Sequence, residues 1–291
     1  MDGILNINKP AGITSFEVVS IVRHLTGERR VGHAGTLDPF ASGVLPVFLG
    51  RSTRVIEFLM DASKTYRACV RLGMATDTYD IEGRILQQAD ASSITPQKIE
   101  SALESFRGSI EQEPPMYSAL KHNGQRLYEL ARAGVTVERE RRQVHIYRLE
   151  LLDYTPPLIT IEMECGRGTY VRSLANDLGV LLGCGACVVV LERVKYGPFD
   201  VKESISLEEL RSSREWQRFV YPLDFIMQHW ESVIVGDDEE RFIRNGVSIM
   251  LTEGIAPAAG RCCAYDNKGS LVAILGYDTE SGKWRPQKVF N

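Results

Sequence analysis

The amino-acid sequence predicts an α+β fold: a mixed, largely antiparallel sheet flanked by helices, with a small β-rich domain at its C-terminal end. Three observations lead there. Segments of helical period interleave with segments of alternating polarity over most of the 291 residues. Residues 144–152 and 158–165 form a hairpin-like pair across Thr155-Pro156-Pro157, which favours a mixed or antiparallel sheet over a doubly wound parallel one. From residue 231 onward, short strands are separated by Gly, Asp and Asn turns such as Asp266-Asn267-Lys268-Gly269. The change of character near residues 223–230 divides the chain into domains at 1–228 and 229–291.

Each element has a local reason. Gly3–Lys9 reads as a strand ending at the Pro10-Ala11-Gly12 turn. Thr14 and Glu17 then have capping-box spacing, opening a helix with Phe16, Val19, Val22 and Leu25 on its apolar side and a stop at Gly27. The glycine-rich stretch that follows reads as a long loop. Tyr66, Ala68, Val70 and Leu72 alternate with polar positions, the pattern of a half-buried strand. Thr95 and Pro96 supply a cap and a first-turn proline for a helix bearing Ile99, Leu103 and Phe106, closed by Gly108. Residues 113–117 are irregular and lead to a basic helix over 125–133. Helical spacing returns over 170–182, and β-branched residues predict a strand over 187–194.

Composition narrows the classes. A hydrophobic fraction of 44% and a charged fraction of 25% are ordinary for a globular protein. No apolar run is long enough for a bilayer, and the N-terminus lacks the pattern of a signal peptide, so a cytoplasmic protein without membrane contact is expected. Cys184 and Cys187 have zinc half-site spacing, but Cys262 and Cys263 are adjacent and supply no second half, so buried reduced thiols and no metal are expected. The net charge of −4 gives no overall attraction to polyanions. Residues 121–148, however, carry seven basic against three acidic side chains, and a mildly acidic protein can present one basic face to RNA or DNA.

Chemistry concentrates in Val31-Gly32-His33-Ala34-Gly35-Thr36-Leu37-Asp38-Pro39-Phe40-Ala41-Ser42-Gly43. Glycines allow tight turns and close approach, and Pro39 restricts the backbone of Asp38. No phosphate loop, His-x-x-x-His metal pair or nucleophile elbow accompanies it. A lone aspartate can act as a nucleophile at a sugar carbon or stabilise positive charge developing there. A glycoside hydrolase would need a second positioned carboxylate, and none stands out. Read singly, Tyr66 and Tyr170 also suit packing positions, Arg172 a solvated helix face, Leu191 a strand core and His33 a loop cap.

The ordered series of motifs resembles the TruB family of tRNA pseudouridine synthases over about residues 3–200. It comprises Asn8-Lys9-Pro10-Ala11-Gly12-Ile13-Thr14-Ser15, Gly32-His33-Ala34-Gly35-Thr36-Leu37-Asp38-Pro39, Lys64-Thr65-Tyr66, Pro114-Pro115-Met116-Tyr117-Ser118-Ala119-Leu120-Lys121, Gly168-Thr169-Tyr170-Val171-Arg172 and Leu191-Glu192-Arg193. Phe40 and Ser42 replace the Leu and Thr common after the aspartate, and Gly166-Arg167 stands where many members have Ser-Lys. The resemblance implies the pseudouridine synthase fold, a PUA-like C-terminal domain and an insertion over 111–142 that clasps RNA. It implies conversion of the T-loop uridine at tRNA position 55 without cofactor, by a monomer needing no protein partner. Asp38 would be the catalytic aspartate, Tyr66 the ring stacked on the base and placed to take its C5 proton, and Arg172 the partner that keeps Asp38 ionised. His33, Lys9, Tyr170, Leu191 and Lys64 would meet the substrate, His33 aiding extrusion of the nucleotide and Leu191 lining the pocket. The rival reading is a noncatalytic RNA-binding or tRNA-folding protein using the same surface.

Overall fold

The computed structural model describes residues 1–251 and 260–290. β1 (Gly3–Lys9) leads through the Pro10 turn into α1 (Ser15–Thr26). The capping box forms as expected: Glu17 N–H donates to Thr14 Oγ1 at 3.1 Å, and Thr14 N–H donates to Glu17 Oε2 at 2.6 Å. The buried side of α1 is Ser15, Val18, Val19 and Val22, whereas Phe16 is 69% exposed, contrary to the apolar pattern. Ser15 sets this phase, because its hydroxyl donates to Leu37 O at 3.1 Å and accepts from Leu37 N–H at 2.9 Å. One polar clamp thus turns the helix away from the face its aromatic residue would choose.

The glycine-rich stretch is also more ordered than a long loop. It opens on β2 (Val31–His33) and ends in β3 (Ser42–Leu49), leaving only residues 34–41 as loop. An interior proline counts against a strand, which is why β3 is hidden in the sequence. The strand tolerates Pro46 beyond the end of β2, where the proline carbonyl accepts from Ala34 N–H at 3.1 Å.

After α2 (Ile56–Leu59) comes β4 (Lys64–Leu72), the expected half-buried strand. The hairpin β5 (Met74–Thr76) and β6 (Ile85–Gln88) follows, then α3 (Pro96–Glu104) and β7 (Gly108–Gln112). The basic helix is short: the tiny hairpin β8 (Lys121–His122) and β9 (Gln125–Arg126) precedes α4 (Leu127–Arg132). β10 (Arg142–Thr155) and β11 (Leu158–Cys165) are the antiparallel pair across Pro156-Pro157. α5 (Val171–Leu181) and β12 (Ala186–Tyr196) complete the central layer. Short strand β13 (Phe199–Asp200) pairs with the end of β12, while β14 (Ile205–Ser206), β15 (Val220–Tyr221) and helix α6 (Leu207–Ser212) cover the β1 edge.

The main sheet runs β14-β1-β3-β12-β4-β11-β10-β7, with β2, β13 and β15 beside this path. Only the β1–β14 and β3–β12 pairings are parallel, so the sheet is mixed and largely antiparallel. One core lies between the sheet and α3 with α5, built on Val70, Ile99, Leu103, Ile161, Leu174 and Leu178. A second packs α1 and α6 against β1 and β3. The final residues form β16 (Ser232–Ile234), α7 (Asp237–Arg244) and the strands β17 (Arg261–Tyr265), β18 (Leu271–Asp278) and β19 (Lys283–Val289), a separate four-stranded sheet. All six cysteines are free thiols, five of them buried and Cys69 partly so. Among the described residues no helix is long and apolar enough to cross a membrane.

Candidate active site

Residues 34–41 form a loop whose carbonyls are held from below. Lys9 is fully buried, and its ammonium donates to Ala41 O at 2.6 Å, Pro10 O at 2.9 Å and Pro39 O at 3.1 Å. That uses every N–H of the ammonium. Burial pushes the Lys9 pKa down to about 8, against the pull of the Asp38 charge. From the other side Arg193 donates to Gly35 O at 2.9 Å and Val44 O at 2.7 Å. Gly35 must be glycine on two counts: its φ is +61°, and a Cβ there would lie 2.9 Å from the Tyr196 ring. Gly43 (φ +101°) lets β3 pass so close to Arg193 that a Cβ would sit 2.3 Å from its carbonyl oxygen.

The clamps leave the Asp38 side chain 34% exposed, with one ion-pair partner among the described residues. Arg172 Nη2 lies 2.9 Å from Asp38 Oδ2. Arg172 is not a solvated helix cation: it is 3% exposed in the first turn of α5. Its Nη1 donates to Asp80 Oδ2 at 3.2 Å and to Thr78 O at 3.1 Å, and its Nη2 to Tyr117 O at 2.7 Å. Burial raises the Asp38 pKa and outweighs the downward pull of Arg172, while Asp80 adds to the rise. Arg172 therefore orients the carboxylate more than it secures its ionisation.

Tyr66 stands in β4 between Met163 of β11 and Arg193 of β12. It is 9% exposed and shares a cluster with Leu37, Ala41 and Leu191. Burial pushes its phenol pKa up and Arg193 pulls it down; the Asp38 charge also reaches it. Tyr170 caps α5, its backbone N–H donating to Gln112 Oε1 at 2.7 Å and its carbonyl accepting from Gln112 Nε2 at 3.0 Å. Its phenol is raised by burial and by Asp38. Leu191 sits opposite Ala68 across β12 and β4. His33 ends β2 with a buried Nδ1 that has no hydrogen-bond partner, and burial with Arg193 lowers its pKa. Lys64 differs: its ammonium donates to Ala62 O at 2.9 Å and Met60 O at 3.2 Å and lies over the Tyr196 ring. Burial lowers its pKa to about 8. The fold thus pairs Arg172 with Asp38, packs Tyr66 and Leu191 with the Leu37–Ala41 loop, brings Tyr66 and Tyr170 within reach of the Asp38 charge, and turns Lys9 and Lys64 inward as braces.

Sequence reading missed Asp80. It is 4% exposed and accepts from Thr78 Oγ1 at 2.6 Å and Glu82 N–H at 3.2 Å, so its second oxygen is aimed at Arg172. Tyr79, at φ 64°, makes the turn that presents it. Nothing in the spacing of Thr78-Tyr79-Asp80 marks that carboxylate as a partner for a residue 92 positions away. Gln112, 1% exposed, was likewise unmarked.

The mixed, largely antiparallel sheet with helices packed on it is the fold of the pseudouridine synthases. Solved structures with this fold include "Structure of H/ACA RNP bound to a substrate RNA containing 2'-deoxyuridine" (TM-score 0.76, 25% identity, covering 99% of this chain and 85% of that one). An archaeal box H/ACA sRNP Nop10-Cbf5 complex is similar (TM-score 0.72, 26% identity, 99% and 85%). Residues 23–171 match the TruB family pseudouridylate synthase N-terminal domain, and residues 172–228 the tRNA pseudouridylate synthase B C-terminal domain. A tRNA pseudouridine synthase B of Dehalococcoides mccartyi is 47% identical over 100% of this chain and 97% of its own length. One from Clostridium tetani is 44% identical over 86% of each. The chain belongs to the TruB family, and it is a tRNA pseudouridine synthase, an isomerase.

Proposed function

We propose that the protein isomerises the uridine at position 55 in the tRNA T-loop, with Asp38 as the catalytic aspartate. The supporting observation is the Asp38–Arg172 contact of 2.9 Å at a partly open carboxylate, with Tyr66 packed in one cluster with the neighbouring Leu37. A base inside a folded stem-loop must be extruded before its glycosidic bond can be reached. The bond from C1′ to N1 breaks, the uracil turns over, and C1′ joins C5, which gives up its proton. Asp38 acts at C1′, Tyr66 stacks on the uracil and takes the C5 proton, and Leu191 and Tyr170 wall the pocket. His33 aids extrusion of the nucleotide. Lys9 and Lys64 act on the substrate through the loop and strand they brace.

Recognition of the stem-loop falls to the insertion over 111–142, where Lys121, Arg126, Arg132, Arg141 and Arg142 are exposed. Such cations contact phosphates without reading sequence. Residues 229–291 act as a PUA-like unit; their net charge of −2 favours a limited contact area over an extensive phosphate surface. The chain works as a monomer in the cytoplasm, with no protein partner and no cofactor.

Tritium release from C5-labelled uridine in an unmodified T stem-loop transcript tests this. The wild-type protein is expected to release tritium from that one uridine without added cofactor or metal. Asp38→Asn is expected to release none while retaining the RNA. Full turnover by Asp38→Asn removes the aspartate from the mechanism, and binding without turnover by the wild-type protein favours the RNA-folding role instead.

A further inference from the structure

Arg193 is 0% exposed, and among the described residues no carboxylate lies within ion-pair distance of it. A buried charge without a counter-charge is costly unless something compensates it. Its Nε and Nη2 are spent on the carbonyls of Val44 and Gly35, and its guanidinium lies 4.9 Å from the centre of the Tyr196 ring. These neighbours satisfy donors but supply no full negative charge. Lys64 faces the same ring at 4.3 Å, a second cation without an ion-pair partner among the described residues. Arg193 and Tyr66 are direct cross-strand partners on β12 and β4, which sets their side chains next to each other on one face of the sheet.

We propose that Arg193 is a positioning residue that holds the Tyr66 oxygen and supplies the positive charge for a Tyr66 phenolate, the species that takes the C5 proton; this rests on the role given to Tyr66 above. In that step the O–H bond forms as the C5–H bond breaks. The electron pair of C5–H forms the C5–C6 double bond, the C6–N1 π pair returns to N1, and N1 takes a proton from solvent. Tyr66 is left as a neutral phenol and loses its proton to solvent before the next turnover. Arg193 stays protonated throughout, because a guanidinium does not titrate in this range. The charge missing from the resting site is the one that Tyr66 acquires. A fixed cation beside the ring favours the ionised phenol that the step consumes. Burial keeps the phenol pKa raised, and Arg193 offsets part of that rise.

The experiment follows single-turnover tritium release from about pH 6 to about pH 10 for the wild type, Arg193→Lys and Arg193→Gln, with retention of tRNA on filters measured alongside. Arg193→Gln is expected to lose about 100-fold near neutral pH, the typical contribution of a positioned proton acceptor. That loss shrinks as pH rises, because hydroxide then supplies the phenolate. Arg193→Lys loses less and keeps the wild-type profile. A more acidic, ring-fluorinated tyrosine at position 66 restores Arg193→Gln. A loss of equal size at every pH, with no rescue, overturns the proposal. Should Arg193→Gln fail to fold, fluorinated tyrosine in the otherwise wild-type protein decides: the rising limb moves to lower pH if a phenolate acts, and an unmoved limb overturns the proposal. Absence of turnover in the wild type would instead count against the function proposed above.

Discussion

Replacing Arg172 by lysine keeps a positive charge and removes a fork. In the native site two nitrogens serve four oxygens: Nη1 reaches Asp80 and Thr78 O at 3.2 and 3.1 Å, and Nη2 reaches Asp38 and Tyr117 O at 2.9 and 2.7 Å. A single ammonium cannot stand between both carboxylates. At 3.2 Å and an effective dielectric of about 20, the attraction between Arg172 and Asp80 is about 5 kcal/mol before desolvation is counted. Both of those groups are buried, and breaking a buried pair by removing one partner costs about 3–5 kcal/mol. Lysine recovers part of the attraction, so Arg172→Lys should destabilise the protein by about 3 kcal/mol. The Asp38 arm, at 34% exposure, is screened and contributes position more than stability. A displaced carboxylate of about 1 Å costs about 100-fold in rate. Urea unfolding gives the first quantity and single-turnover tritium release the second. A variant within about 1 kcal/mol and about threefold of the wild type would refute the bridging role.

Lys9→Ala strips donors from three carbonyls of the Asp38 loop and its flank, and should cost about 3 kcal/mol in urea unfolding together with a fall in turnover; unchanged stability would mean that water replaces the ammonium. Because burial raises the Asp38 pKa, and the role proposed for Asp38 needs its carboxylate, the acid limb of turnover should lie above the ordinary aspartate range, and Arg172→Gln should move it higher still. A limb at the ordinary position would count against the desolvated site. The same shift has a thermodynamic sign. A carboxyl that holds its proton more tightly when folded makes stability fall as pH rises from its unfolded to its folded pKa, so Asp38→Asn should raise Tm at neutral pH.

How much of this was legible depended on whether an effect was local in the chain. The Thr14–Glu17 box, the Thr95–Pro96 helix start and the alternation in β4 are local, and each appears where the sequence placed it. The phase of α1 is not local. It depends on a Ser15–Leu37 clamp spanning 22 positions, which overrides the apolar pull of Phe16. Asp38, Tyr66 and Arg172 stood out as candidates because they sit in motifs, and the structure sets Arg172 against Asp38. Asp80 was not, since its partner comes from another element and its own neighbours reveal only a turn. Lys9 and Lys64 have the appearance of RNA contacts in sequence. Burial alone shows that a cation can serve a loop's carbonyls instead. Arg193 lay inside a quoted motif with no task until the cross-strand register set it against Tyr66.

The two sheets share one apolar seam. Phe58 meets Trp230 edge-on at 5.3 Å, Ile226 and Met227 are buried with Cys263, Ile274 and Phe290, and Arg54 lies over the Phe290 ring while donating to Val289 O at 2.6 Å. A seam of that kind behaves as a weld and leaves little room for a hinge. The span between Asp38 and the outer surface of the terminal sheet is then a fixed dimension of the protein, as in a caliper.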